Sequence, residues 1–178
     1  MSQSVDKESI RRKYDHLADA YSGRYADPGA IALRHVGLVR SWGITAGPTA
    51  RVLEVGCADG FVTAALARDG FEVTAVDLAP RMVERTLQRL AEARLQARVL
   101  VGDLDSLDLD QTYDVVLAVM GTFFRYAADP AAVMNGWASH VQMKLIVDVD
   151  PRSHRLARAL GTMRDAGFHH VAWRPLFV

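Results

Sequence analysis

The chain has one cysteine, Cys57, among its 178 residues, which excludes an internal disulfide framework and is compatible with a reducing compartment. It also lacks a surplus of either charge: Lys plus Arg and Asp plus Glu both number 21. That balance argues against nucleic acid or a membrane surface as a partner, since both favour a strong basic excess. Nowhere do about 18 apolar residues run together, and Met1 to Glu8 carries no apolar stretch of the kind a secretory leader needs. The expected location is therefore cytoplasmic. Internal repeats and low-complexity tracts are missing too, and the length suits one compact domain with a real core.

What is present alternates between two periodicities. Over residues 9–22, Ile10, Tyr14, Leu17, Ala18 and Tyr21 recur at helical spacing, which predicts a helix with both tyrosines on one face. Gly23 and Asp27-Pro28-Gly29 break it, and a second helix is expected over 30–42. Together these make a helical N-terminal cap, residues 1–45. From 50 to 178 strands alternate with helices. The strands are expected near 52–55, 71–76, 98–101, 113–119, 144–149 and 168–173, and helices at 61–68, 80–94, 130–140 and 152–166. The pattern predicts an α/β fold, a doubly wound, mainly parallel Rossmann-like sheet.

The chain is organised around Val52-Leu53-Glu54-Val55-Gly56-Cys57-Ala58-Asp59-Gly60, a strand that ends in a glycine-bracketed turn before the helix beginning at Phe61. Gly56 and Gly60 permit backbone conformations closed to residues with a Cβ and let a ligand approach the main chain. In such sheets ligands gather at the carboxyl ends of the strands, where Glu54, Asp77, Asp103, Asp148 and Asp150 fall. Asp77 closes the strand after the turn, where an acid accepts the hydroxyls of an adenosine ribose. A dinucleotide would want closely spaced glycines and no negative charge beside its pyrophosphate. Glu54 and Asp59 would repel that group, whereas a cationic, phosphate-free cofactor would be attracted. Charge sign therefore favours S-adenosylmethionine.

Residues from about 50 to 174 resemble the class I S-adenosylmethionine-dependent methyltransferases. Glu54-Val55-Gly56-Cys57-Ala58-Asp59-Gly60 is similar to their first motif, E/D-x-G-x-G-x-G, with Ala58 at the middle glycine. The resemblance implies that Asp77 and Leu78 serve the ribose, Met82 the adenine-side helix, and Gly102, Asp103 and Leu104 the adenine, with Val119 ending the fourth strand. It also implies that Tyr14 and Tyr21 belong to a lid helix closing over cofactor and substrate. The implied cofactor is S-adenosylmethionine, with S-adenosylhomocysteine as product. The family's sheet ends in a hairpin of strands six and seven, and here a seventh strand is missing, which leaves an edge open to self-association as a homodimer.

Methyl transfer is an in-line displacement that depends chiefly on holding the reacting atoms in line in a water-poor site. The loop after the fourth strand, Met120-Gly121-Thr122-Phe123-Phe124-Arg125-Tyr126, lacks the N/D-P-P-Y/F sequence of enzymes that methylate DNA bases or protein amides. Met120, Phe123, Phe124 and Tyr126 instead fit an apolar or aromatic small molecule, with Arg125 for an anionic group; core packing and a solvated arginine are the competing explanation. His16 and His35 are candidates for a general base, followed by His154. His140, His169 and His170 have no metal-ligand spacing, so no metal is expected. The expected function is methylation of a small molecule, at oxygen more than at nitrogen or carbon. Two rivals stay open: the same fold and cofactor with other chemistry, such as decarboxylation or a sulfonium-assisted cyclisation, and a non-catalytic partner subunit.

Overall fold

The computed structural model describes residues 5–41, 43–47, 49–149 and 156–168. Its elements are α1 (Lys7–Leu17), α2 (Pro28–Arg40), β1 (Arg51–Val55), α3 (Phe61–Arg68), β2 (Glu72–Asp77), α4 (Pro80–Glu92), β3 (Arg98–Val101), β4 (Tyr113–Ala118), α5 (Phe123–Tyr126), α6 (Pro130–Ala138), β5 (Val141–Val147) and α7 (Leu156–Asp165). Local chemistry sets several starts. Asp6, Asp27 and Asp129 accept backbone N–H groups at the first turns of α1, α2 and α6, and Pro28, Pro80 and Pro130 occupy first helical positions where no N–H is needed.

The described strands form one parallel sheet in the order β3-β2-β1-β4-β5. Chain order reverses between β1 and β4, and such a switch point opens a crevice at the carboxyl ends of the two strands. Side chains alternate between the two faces. Val52, Val115 and Leu117 join a core shared with α2 and α3, while Leu53, Val55, Tyr113 and Val116 join a second core with Met134 and Trp137 of α6. The same alternation drives Glu54 into the first face.

Three boundaries differ from the sequence expectation. The first helix stops at Leu17 and gives way to two 3-10 turns, Ala18–Ala20 and Ser22–Arg24, which fold Tyr21 back under the cap. The fifth strand begins at Val141 because Tyr113 pairs with it; Gln142 and Met143 are exposed, so an apolar run was absent there. The stretch 123–126, expected as loop, is the short helix α5. The sixth strand candidate, apart from Phe168, and the residues 150–155 before α7 lie outside the described residues.

No described helix is long and apolar enough to cross a membrane. The helical N-terminal region packs directly on the sheet layer: Ala18, Tyr21, Ala32, Val36 and Val39 share one core with Val52, Phe61 and Leu66.

Candidate functional site

β1 delivers the chain into a turn whose backbone is left-handed at Gly56 (φ 80°), Ala58 (φ 51°) and Gly60 (φ 79°). A residue with a Cβ is disfavoured in that region by about 1–2 kcal/mol, so Ala58 must be held there. It is held from both sides. Its N–H donates to Asp77 Oδ2 at 2.8 Å, and its carbonyl accepts from Thr86 Oγ1 of α4 at 2.8 Å. Gly60 has no room for a side chain, since a Cβ would lie 2.6 Å from Thr86 Cγ2 and 2.9 Å from its Cα. A Cβ on Gly56 would lie 2.5 Å from Thr122 Cγ2. Clamped in this way, the turn leaves its main chain open only towards the crevice.

Asp77 ends β2 beside it. Each carboxylate oxygen accepts one backbone N–H, Oδ2 from Ala58 and Oδ1 from Ala79. A carboxylate oxygen has two lone pairs, so each keeps acceptor capacity for a ligand. Burial raises the acid's pKa, and the N–H groups of Ala79 and Ala58 act in the opposite direction. Across the crevice Asp103 meets Lys7 of α1, whose Nζ lies 2.6 Å from both Asp103 and Asp105.

The cap closes the top. Tyr14 and Tyr126 share a hydrogen bond of 2.6 Å between their hydroxyls, their rings set edge to face at 6.0 Å. Asp15 accepts the N–H of Arg81 at the start of α4, tying α1 to the second βα unit. Arg89 of α4 donates to the carbonyl and carboxylate of Asp59 and to the hydroxyl of Ser22, joining turn and cap. Burial holds the hydroxyls of Tyr14 and Tyr21 above the usual phenol range, so both remain protonated donors at neutral pH.

Of the residues singled out in the sequence, Tyr14, Tyr21, Gly56, Ala58, Asp77, Leu78, Gly102, Asp103, Leu104, Met120 and Tyr126 line one cavity of about 60 Å³. Ile10, Val55, Val76 and Thr122 complete it and were not anticipated. Ile10 sits one helical turn before Tyr14, and that i, i+4 spacing was the available signal. Small-molecule sites are usually roughly 300–1,000 Å³, so the cap stands close over the turn. A larger groove between α4 and β3 lies away from the glycine turn.

The others stand elsewhere. Cys57, Gly60, Met82 and Val119 are packed behind the wall, and burial pushes the Cys57 thiol well up. Phe123 is fully buried against Phe124 and Trp137, so packing explains it; Phe124 joins the same core and Arg125 is exposed. His16 is exposed in the last turn of α1. His35 is buried in α2 with Nδ1 2.9 Å from the Ile31 carbonyl oxygen, and burial lowers its pKa. Neither histidine lines the cavity, which corrects their assignment as bases. His154 lies outside the described residues.

The charge argument also needs correction. Glu54 is 4% exposed and accepts a hydrogen bond from Thr63 of α3, and burial pushes its pKa up to about 8. Asp59 is paired with Arg89. Neither carboxylate lines the cavity, and Asp77 carries the negative character instead.

Glu54 supplies a pH prediction. Unfolded, it titrates near 4.5; folded, near about 8. Between these values the folded chain holds a proton that the unfolded chain has released, so this contribution is complete below pH 4.5 and lost as pH rises through about 8. Glu54→Gln, which is always neutral, should flatten the decline; thermal melts from pH 5 to 9 check it, and parallel curves for both proteins would contradict it.

Residues 52–144 match the model of a family described as a methyltransferase domain. The chain is 35% identical over 94 residues to a ubiquinone biosynthesis O-methyltransferase of Xanthomonas campestris pv. campestris, a match covering 52% of this chain and 38% of the relative. It is 29% identical over 121 residues to a malonyl-[acyl-carrier protein] O-methyltransferase of Anoxybacillus flavithermus, covering 66% of this chain and 43% of the relative. The chain thus matches well under half the length of both. The fold is similar to magnesium protoporphyrin IX methyltransferase from Synechocystis PCC 6803 with bound SAM, at TM-score 0.77 and 21% identity, covering 94% of this chain and 88% of that one. With its family model matched over 52–144 and its parallel sheet in the order β3-β2-β1-β4-β5, the chain belongs to the methyltransferase-domain family of class I S-adenosylmethionine-dependent methyltransferases.

Proposed function

We propose that the protein is a cytoplasmic S-adenosylmethionine-dependent methyltransferase that acts on an oxygen of a small molecule. The observation that carries this reading is the left-handed Gly56–Ala58 backbone beside the half-satisfied Asp77 carboxylate on one cavity wall. The residues present fit the cofactor. Asp77 would accept its ribose hydroxyls, the Gly56–Ala58 main chain would face its amino-acid portion, and Gly102, Asp103 and Leu104 would border its adenine. When bound, S-adenosylmethionine supplies a methyl group on a positively charged sulfur. Tyr14 and Tyr126 exclude water from above, and a dry, oriented site is where positioning lowers the barrier most. Tyr14 and Tyr21 stay protonated and act as donors rather than bases, which favours an acceptor oxygen already ionised at neutral pH, such as a carboxylate. Homodimer formation across an open sheet edge belongs to the same proposal.

The test is transfer of labelled methyl to a panel of carboxylic and phenolic acceptors. Transfer with carboxylates preferred supports the reading; cofactor binding without transfer to any acceptor favours other chemistry on the same fold. Asp77→Ala should weaken S-adenosylmethionine binding by about 1.5–3 kcal/mol, the worth of hydrogen bonds to a charged group. Calorimetry measures this, and unchanged affinity would remove Asp77 from the ribose.

A further inference from the structure

β4 and β5 run side by side to their ends, where Ala118 pairs with Val147, so the turns that follow them are neighbours. In the turn after β4, Met120 (φ 62°) and Gly121 (φ 78°) are left-handed in succession. Met120 carries a Cβ into that region and needs a restraint, as Ala58 does. Asp148, just beyond β5, provides one: the N–H of Gly121 donates to both its carboxylate oxygens, at 3.0 and 2.8 Å. A left-handed pair presenting its N–H groups to an anion is a recurrent backbone concavity, and here the anion is a side chain of the same protein. The turn so held carries Met120, Thr122 and Tyr126 onto the cavity wall. Thr122 stands against Gly56, and the Tyr126 hydroxyl meets Tyr14 of the cap. Asp148 itself does not line the cavity.

We propose that Asp148 is a positioning residue: its carboxylate locks the Met120–Gly121 turn and thereby sets the wall of the cavity opposite Asp77. The inference rests on reading this cavity as the methyl-transfer site. It differs from a simple helix cap or solvated loop acid because the bond joins two strand ends and fixes a strained residue that faces the cavity.

Amide hydrogen exchange followed by mass spectrometry, on ligand-free protein, tests the restraint. In Asp148→Ala the segment 119–127 should exchange about tenfold faster or more, the effect of losing a charged hydrogen bond, while β1 and β2 keep their rates. Asp148→Asn, whose amide oxygen can still accept from Gly121, should recover most of the protection. Titration with S-adenosylhomocysteine then reads the consequence: affinity falls about threefold or more in Asp148→Ala and returns in Asp148→Asn. Wild-type exchange in Asp148→Ala overturns the proposal, as does unchanged affinity despite a loosened turn. If Asp148→Ala does not fold, the Asn and Glu variants decide: the shorter amide must protect 119–127 better than the displaced carboxylate of Glu. Failure of the wild type to bind S-adenosylhomocysteine would instead sink the methyltransferase reading and leave the exchange result standing.

Discussion

Phe123→Ala should lower the free energy of unfolding by about 3–5 kcal/mol, the range for emptying the space of a buried aromatic ring. The ring is fully buried, with Phe124 at 5.1 Å and Trp137 at 5.4 Å between centroids. It belongs to the core under β1 and β4, with Leu53, Val55 and Met134. Nothing polar lies in that set to draw water in, so the cavity left behind would stay dry and the lost contacts would not be replaced. The same variant separates the two roles weighed for this residue. A core residue lowers stability and leaves affinity for S-adenosylmethionine within about threefold, under 1 kcal/mol, at temperatures where the variant is folded. A substrate contact would do the reverse. Urea denaturation beside calorimetry distinguishes them, and a midpoint equal to wild type would contradict the packing assignment.

Gly60→Ala should cost about 2–5 kcal/mol through two independent effects. The backbone at φ 79° is left-handed, and the new Cβ would meet Thr86 at 2.6 Å from Cγ2 and 2.9 Å from Cα. The second contact is with backbone inside α4, so no rotamer change removes it. Because Thr86 Oγ1 holds the carbonyl of Ala58, pushing α4 away also releases the turn beside Asp77. Cofactor binding should therefore fall together with stability, unlike the Phe123 variant. Adding Thr86→Ser removes the Cγ2 contact and keeps the hydroxyl, so the double variant should recover part of the loss. A Gly60→Ala protein with wild-type melting and affinity would show that the turn is not clamped by α4.

Much of the fold was legible because β1, β2 and β4 are buried, and their apolar runs end in acid or glycine. β5 was misread at its start for the opposite reason. It is an edge strand among the described residues, and Gln142 and Lys144 interrupt the apolar run. The turn from Gly56 to Gly60 was found from its glycines, but the part played by Glu54 was not. Strand alternation puts Glu54 on the face of Val52, where α3 covers it, and Thr63 lies on that helix; reading the acid as a ligand group ignored this period. The site wall depends on bonds between distant residues: Lys7 with Asp103, Tyr14 with Tyr126, and Asp148 with Gly121. Such pairs leave no local pattern in a single sequence. His35 was taken for a base from residue type alone, whereas burial on the apolar face of α2 and a bond to the preceding turn account for it.

The central claim is that a left-handed glycine turn and Asp77 together form a site for a phosphate-free, cationic cofactor. Calorimetric titration of the wild-type protein with S-adenosylmethionine, with NAD run in parallel, tests it most directly. The structure predicts one site per chain for S-adenosylmethionine and no heat of binding with NAD. Absence of binding at millimolar S-adenosylmethionine, or tighter binding of NAD, would contradict it.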